Sequence, residues 1–154
     1  MSTQLFVRSV FTLLSSMCTI SGIVSKARSL GYTSVALTDR NVLSGAMAFK
    51  KECERQGIRA IYGLELDYSF DERTFSCVLY ARNDEGFSNL MKLSSLINTT
   101  DNKIVDTDTL NSYRNGCFLV LLSDSMPLTY AVDKNDDIAG CLEKIGRASC
   151  RERV

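Results

Sequence analysis

The apolar residues of this chain follow two periods that alternate along its length. Short continuous or alternating apolar runs, typical of strands, are separated by stretches in which apolar residues recur every three to four positions, as on one face of a helix. The polar residues 98–108 are predicted to form a surface connection. The pattern predicts strands over residues 4–7, 34–38, 59–65, 75–81 and 117–122, and helices over residues 20–30, 42–56, 83–97 and 136–143.

Residues near the ends of the predicted helices support these boundaries. Thr19 or Ser21 can cap the first helix by accepting a hydrogen bond from its free N–H groups. Gly31 and Gly57 are suited to the left-handed conformation that ends the first and second helices. Asn83, followed by two acidic residues, favours the start of the third helix, where negative charge is stabilised by the helix dipole.

Strands and helices alternate at short spacing, which favours parallel strands joined by crossover helices. The predicted fold class is therefore α/β. The pattern alone does not separate an open doubly wound sheet from a partial barrel. Both architectures place functional residues at the carboxyl ends of their strands, so candidate chemistry is sought there.

The composition is typical of one soluble globular domain. The 154 residues are 45% apolar and 23% charged, and 18 basic residues balance 18 acidic ones, so no overall positive charge favours nucleic-acid binding. The apolar run at residues 10–18 is short and is interrupted by Thr12, so neither an export signal nor a membrane span is predicted. The six cysteines form no Cys-x-x-Cys pair, and we expect reduced, mostly buried thiols in a cytoplasmic protein.

Carboxylates lie at or just beyond two predicted strand ends. Asp39, Glu65 and Asp67 could together hold a divalent cation, because hard cations take several oxygen ligands. In the alternative interpretation, Asp39 and Asn41 cap the following helix while Arg8 or Arg40 pairs with Glu65. The second interpretation is favoured, since two arginines at the same edge would oppose a cation.

The chain contains no histidine, which removes the Ser-His-Asp and Cys-His arrangements used in nucleophilic catalysis. It also contains neither of the glycine-rich motifs that cradle phosphates in P-loop and dinucleotide-binding proteins. The residues therefore predict no catalytic and no cofactor-binding side chain.

Four stretches of the chain resemble the PHP (polymerase and histidinol phosphatase) domain at the N-terminus of the alpha subunit of bacterial replicative DNA polymerases. The most specific is the last, which includes the sequence Gly86-Phe87-x-Asn89-Leu90 after an acidic helix start. The resemblance covers about residues 3–143 and is closest to the shorter alpha-type polymerases of low-GC Gram-positive bacteria. It implies the N-terminal part of a distorted (β/α)7 barrel. The four stretches are residues 5–9, 36–41, 57–65 and 78–95.

The resemblance also indicates where a metal site would lie. Metal-bearing members have His-x-His in the first strand, Thr-Asp-His at the end of the second, a glutamate in the third and a histidine leading the fourth. Only the glutamate is retained here, and arginine and phenylalanine cannot replace imidazole as metal ligands. We therefore expect a vestigial site without metal, in which Arg8 or Arg40 occupies the place of the cation. Its positions are Phe6, Arg8, Arg40, Glu65 and Ser76.

The function implied by the resemblance is that of a non-catalytic scaffold in a DNA-directed DNA polymerase. The expected partners are the rest of the polymerase chain and replisome proteins, including a proofreading exonuclease or a sliding clamp. DNA would be contacted only through the parent polymerase, whose own active site implies magnesium. Two alternatives stay open: a free-standing PHP-type metal-dependent phosphoesterase, and an unrelated α/β binding module.

The last eleven residues, 144–154, differ from everything before them. They are cationic, follow no apolar period, and resemble the conceptual translation of a short-read sequencing adapter. We therefore expect a partial PHP domain over residues 1–143 and a non-native tail over residues 144–154. A partial domain would expose strand edges and is expected to aggregate when expressed alone.

Overall fold

The computed structural model describes residues 2–12, 16–70 and 72–122, which divide between Glu65 and Leu66 into two compact units. The predicted helix over residues 136–143 and the tail over residues 144–154 lie outside the described residues. Among the described helices, none is both long enough and apolar enough to cross a bilayer.

The first unit is built on parallel strands. It contains β1 (Thr3–Gln4), α1 (Ile20–Ser29), β2 (Ser34–Arg40), α2 (Ala46–Gln56) and the first part of β3 (Arg59–Phe70). β1 and β3 both pair in parallel with β2, and α1 packs against α2. The buried core of this unit contains Ile23, Val24, Ala27, Val35, Leu37, Phe49, Cys53 and Ile58.

The second unit contains the end of β3, β4 (Arg73–Ala81), α3 (Asp84–Thr99), β5 (Ile104–Asp106), α4 (Thr107–Ser112) and β6 (Cys117–Leu121). β5 pairs in parallel with residues 67–69 of β3, whereas β6 is antiparallel to β4. α3 packs on β4. The buried apolar residues of the second unit include Leu66, Tyr68, Phe75, Cys77, Val78, Leu79, Leu90, Leu93, Ile97, Val105 and Leu110.

The predicted α/β class is confirmed, and the helix ends follow the expected local chemistry. The Thr19 side chain accepts a hydrogen bond from the Gly22 N–H at the start of α1. Gly57 ends α2 in the left-handed region, with φ of 70°. Asn83 caps α3 by accepting a hydrogen bond from the Gly86 N–H.

The predicted parallel strands with crossover helices describe the first unit, but they do not describe β4 and β6 of the second unit. β4 follows β3 after only two residues, and a parallel connection needs a crossover of a dozen residues or more. β6 is antiparallel to β4 and is only partly buried. Its residues alternate in exposure, so that Phe118 and Val120 are exposed at 39% and 44%.

Two element boundaries also differ from the prediction. The polar connection expected at residues 98–108 contains β5 and the start of α4, because the short apolar pair Ile104-Val105 is enough to pair with the end of β3. β1 ends at Gln4 rather than Val7, because the Val7 N–H bonds to the hydroxyl of Thr38 and not to a backbone carbonyl of β2.

The cysteines differ in burial. Cys53 and Cys77 are buried, Cys117 is half-buried and Cys18 is exposed, so the expected burial holds for two of the four described cysteines. Burial, with smaller contributions from Glu52 and Glu54, raises the pKa of the Cys53 thiol to about 11, which keeps it protonated at neutral pH. Cys141 and Cys150 lie outside the described residues.

Removing the cap of α3 should cost a measurable amount of stability. We expect Asn83→Ala to lower the free energy of unfolding by about 1 kcal/mol, since the Gly86 N–H loses its acceptor at 2.9 Å. Urea unfolding followed by circular dichroism measures this loss. Asn83→Asp retains an acceptor and should stay close to the parent chain, and equal losses in the two variants would contradict the capping role.

Candidate functional site: a guanidinium–carboxylate centre

The centre lies where β2 and β3 end within the first unit. Arg40 and Glu65 are register partners on these two neighbouring parallel strands. The segment after β1 approaches the same place, because the Thr38 N–H donates to the Val7 carbonyl at 2.8 Å and the Thr38 hydroxyl bonds to the same residue. The strand ends therefore bring residues far apart in sequence to one edge, as expected for parallel strands.

Glu65 is the buried acidic group of the centre. Only 1% of its side chain is exposed, and Arg8 binds it with two parallel hydrogen bonds. Nε of Arg8 donates to Oε2 at 2.6 Å, and Nη2 donates to Oε1 at 2.7 Å. This bidentate geometry is the strongest form of arginine–carboxylate pairing, and it uses both oxygens of Glu65.

Two further side chains surround this pair. Nη1 of Arg40 lies 3.7 Å from Oε1 of Glu65, so a second positive charge approaches the same oxygen. The Phe6 ring lies under the Arg8 guanidinium, with 5.2 Å between Cζ and the ring centroid. An arginine over an aromatic face is attracted by the ring's negative face, so Phe6 also favours this position of Arg8.

Asp39 binds a different set of groups. It is 1% exposed, and its two oxygens accept hydrogen bonds from the Ser9 N–H at 2.6 Å, the Ser9 hydroxyl at 2.7 Å and the Thr12 hydroxyl at 2.7 Å. The Thr12 hydroxyl in turn accepts from the Arg40 N–H at 3.1 Å. Asp39 therefore fixes the segment that carries Arg8 to the end of β2.

This arrangement corrects the interpretation of Asp39 and Asn41 as helix caps. α2 begins at Ala46 rather than at Val42, with Gly45 at its N-cap and no side-chain cap. Asn41 instead adopts a left-handed turn, with φ of 61°, and its N–H donates to the Glu65 carbonyl at 2.8 Å.

The remaining two candidate residues contact each other in the second unit. The Ser76 hydroxyl on β4 donates to Oδ1 of Asp67 on β3 at 2.6 Å. Asp67 therefore accepts a hydrogen bond from the Ser76 hydroxyl, and Asp39 accepts hydrogen bonds from the Ser9 and Thr12 hydroxyls. Within residues 2–12, 16–70 and 72–122, no group of three His, Cys, Asp or Glu side chains is arranged to hold a metal ion.

The parallel sheet that ends in this centre, with Glu65 in the third strand, agrees with the arrangement expected of a PHP domain. The chain belongs to the PHP domain family, whose sequence profile matches residues 4–149. The match runs into the segment predicted to be non-native, and the assignment of residues 144–154 stays a prediction.

The relatives in sequence are DNA polymerase III alpha subunits. The chain is 37% identical over 123 residues to that of Halalkalibacterium halodurans and 36% identical over 120 residues to that of Bacillus subtilis, which covers 78% and 76% of the chain. The subunit of Treponema pallidum is 35% identical over 103 residues, or 60% of the chain. The chain spans only 11% of the length of the first two relatives and 9% of the third.

Solved structures with the same fold are more distant. An amidohydrolase from Chromobacterium violaceum, with sulfate bound and no metal, aligns with a TM-score of 0.52 at 20% identity, covering 62% of this chain and 32% of that one. A protein from Bifidobacterium adolescentis, named for a metal-dependent phosphoesterase activity, aligns with a TM-score of 0.52 at 13% identity, covering 96% of this chain and 44% of that one. These similarities show the fold alone.

The donor set at the centre does not fit the metal that the family resemblance implies. Phe6 has no donor atom, and guanidinium groups carry protons and positive charge rather than free lone pairs. Both oxygens of Glu65 already accept hydrogen bonds from Arg8. A divalent cation would have to displace Arg8 and then lie beside Arg40.

The structure brings together four of the five predicted positions: Phe6, Arg8, Arg40 and Glu65. Sequence reasoning missed Ser9 and Thr12, the two hydroxyl residues that bind Asp39. The sequence did contain a signal for Thr12, because this polar residue interrupts an apolar run. In the structure its side chain is only 4% exposed. A polar side chain inside such a run indicates a specific buried partner.

Proposed function

We propose that this chain is the N-terminal part of the PHP domain of a replicative DNA polymerase alpha subunit, and that it acts there as a non-catalytic scaffold. The observation that carries the proposal is the identity of 36–37% with two DNA polymerase III alpha subunits over more than three quarters of the chain. The parent polypeptide would transfer deoxynucleotides with magnesium held elsewhere in its sequence. No cofactor is assigned to the present domain.

The geometry of the centre supports the scaffold role. A general base or a metal ligand needs an accessible lone pair without a competing cation, whereas Arg8 occupies one lone pair on each oxygen of Glu65 and Arg40 lies 3.7 Å from Oε1. Arg8 is a poor proton donor, because its guanidinium stays protonated in proteins. The pair is suited to holding the segment after β1 against β3.

The proposed partners follow from the parent polypeptide. They are the rest of the polymerase chain first, then replisome proteins such as a proofreading exonuclease or a sliding clamp, with DNA contacted only through the parent. Such a protein would work in the cytoplasm and without a membrane. The free-standing phosphoesterase is the weaker alternative, because its support is a fold similarity at 13% identity.

Sequencing the genomic DNA that follows codon 143 tests the proposal directly. An open reading frame that continues into polymerase palm and finger sequence is the expected result, and it would also show whether codons 144–154 are native. A stop codon soon after codon 143 would contradict the polymerase assignment. Metal-dependent hydrolysis of p-nitrophenyl phosphate by the purified chain, lost in Glu65→Gln, would contradict the non-catalytic role.

A further inference from the structure

We infer that the Arg8 guanidinium is a built-in cation that performs the structural task of a metal ion at this centre. It binds Glu65 permanently, closes the centre to divalent cations and makes the stability of the domain independent of metal. The inference rests on membership of the PHP family and on the geometry of the first unit. It does not depend on which longer polypeptide carries the domain.

The first argument is the burial of Glu65. A carboxylate that is 1% exposed must be compensated by positive charge and hydrogen bonds, or its burial strongly opposes folding. Arg8 supplies both, through two hydrogen bonds of 2.6 and 2.7 Å from a residue 57 positions away in sequence. In a metal centre the metal ion would supply this compensation, whereas here the Arg8 guanidinium supplies it.

The second argument is that Arg8 is held in position from several sides. The Ser16 hydroxyl donates to the Arg8 carbonyl at 2.8 Å, and the next residue, Ser9, is bound to Asp39 through both its N–H and its hydroxyl. Phe6 lies against the guanidinium itself. Because backbone and side chain are both held, little rotamer entropy opposes the pairing, unlike in a mobile surface ion pair.

The third argument is electrostatic exclusion. Arg40 lies 3.7 Å from Oε1 of Glu65, so a divalent ion at Glu65 would meet a second positive charge even after Arg8 moved away. Arg8 and Arg40 differ in their contacts, however. Arg8 makes two short hydrogen bonds to Glu65 with 31% of its side chain exposed, whereas Arg40 approaches the same carboxylate only to 3.7 Å with 40% exposed. The inference assigns the cation's role to Arg8 and a secondary role to Arg40.

A double-mutant cycle on Arg8 and Glu65 tests this assignment in the full-length polypeptide that carries this domain, because the isolated chain is expected to aggregate. Urea unfolding is measured for Arg8→Met, Glu65→Gln, and the combination of both. We expect Arg8→Met to raise the unfolding equilibrium constant on the order of a hundredfold, because it leaves a buried carboxylate without its partner. We expect the double variant to raise the unfolding equilibrium constant less than the product of the two single increases, by roughly tenfold or more, as for directly contacting residues.

Arg40→Met is the matched control, with the same change of charge and side-chain length at a neighbouring position. We expect it to raise the unfolding equilibrium constant only a fewfold, as for a partly exposed pair at longer distance. Equal effects of Arg8→Met and Arg40→Met, or additive effects of Arg8→Met and Glu65→Gln, would overturn the inference.

Arg8→Lys keeps the experiment decisive if Arg8→Met does not fold. Lysine retains the charge but cannot make the bidentate contact, so we expect Arg8→Lys to fold where Arg8→Met does not, with an unfolding equilibrium constant above that of the unsubstituted protein. The midpoint of thermal unfolding of the unsubstituted protein should also be unchanged by added zinc or manganese chloride. A lysine variant as stable as the parent, or a midpoint of the parent that rises with metal concentration, would overturn the inference.

Discussion

Replacement of Asp39 by leucine is expected to lower the free energy of unfolding by about 3 kcal/mol or more. Asp39 accepts hydrogen bonds from the Ser9 N–H, the Ser9 hydroxyl and the Thr12 hydroxyl, and the Ser9 residue is fully buried. Leucine has a similar shape but no acceptor. Buried donors that lose their acceptor cost about 1–3 kcal/mol each, although the two hydroxyls can partly reorient.

Urea unfolding of Asp39→Leu measures the global loss, and hydrogen exchange at the Ser9 amide measures the local one. Asp39→Asn is the matched control, because its carbonyl oxygen can still accept from the Ser9 N–H and its amide can donate to the Ser9 hydroxyl. We expect a loss of about 1 kcal/mol for this variant. If leucine and asparagine are tolerated equally well, the segment after β1 is held by something other than Asp39.

The second large effect is expected for Gly86→Ala, at the start of α3. A Cβ at this position would overlap the carbonyl oxygen of Gly116, which accepts a hydrogen bond from the Arg82 N–H at 2.8 Å. The obstacle is backbone rather than a flexible side chain, so the helix or the turn before β6 must move. We expect a loss of about 2–3 kcal/mol, typical of overpacking, despite the better helix propensity of alanine.

Gly31→Ala separates this contact from a general cost of replacing glycine. Gly31 has φ of 76° and no atom within 4 Å of a Cβ, so alanine there meets only conformational strain, about 1 kcal/mol. Chemical denaturation of both variants gives the comparison. A Gly86→Ala variant that is no less stable than Gly31→Ala would show that α3 does not lie against the Gly116 turn as described.

The Gly86 contact also gives a physical reason for the most specific part of the family resemblance. The sequence Gly86-Phe87-x-Asn89-Leu90 carries three separate interactions. Gly86 allows the close approach of Gly116, Asn89 donates to the Asn115 carbonyl at 2.9 Å, and Leu90 is fully buried. This sequence therefore joins the start of α3 to the turn that leads into β6.

The sequence predicted an arginine pair for Glu65, because Arg8, Arg40 and Glu65 all lie at predicted strand ends that meet at one edge of a parallel sheet. It left Arg8 and Arg40 as equal candidates, since strand order does not say which guanidinium reaches the carboxylate. The structure distinguishes them by distance: Nε of Arg8 lies 2.6 Å from Oε2 of Glu65, whereas Nη1 of Arg40 lies 3.7 Å from Oε1. Side-chain reach depends on the path of the segment after β1, and Asp39 determines that path through tertiary hydrogen bonds.

The second half of the fold was harder to predict for a related reason. β5 has three residues and pairs with β3 through Ile104-Val105, so its apolar signal is too short to register as a strand. The antiparallel pairing of β6 with β4 depends on contacts between distant residues, such as Val78 with Val120. Local periodicity carries no information about such pairings.

The central claim is that Arg8, and not a metal ion, compensates Glu65. The decisive experiment is equilibrium dialysis of the full-length polypeptide that carries this domain against zinc, and separately against manganese, followed by elemental analysis. Glu65→Gln dialysed in parallel corrects for metal bound elsewhere, for example by exposed thiols. We expect the same metal content in the two proteins, and one additional equivalent of zinc or manganese in the unsubstituted protein, absent from Glu65→Gln, would contradict the role of Arg8.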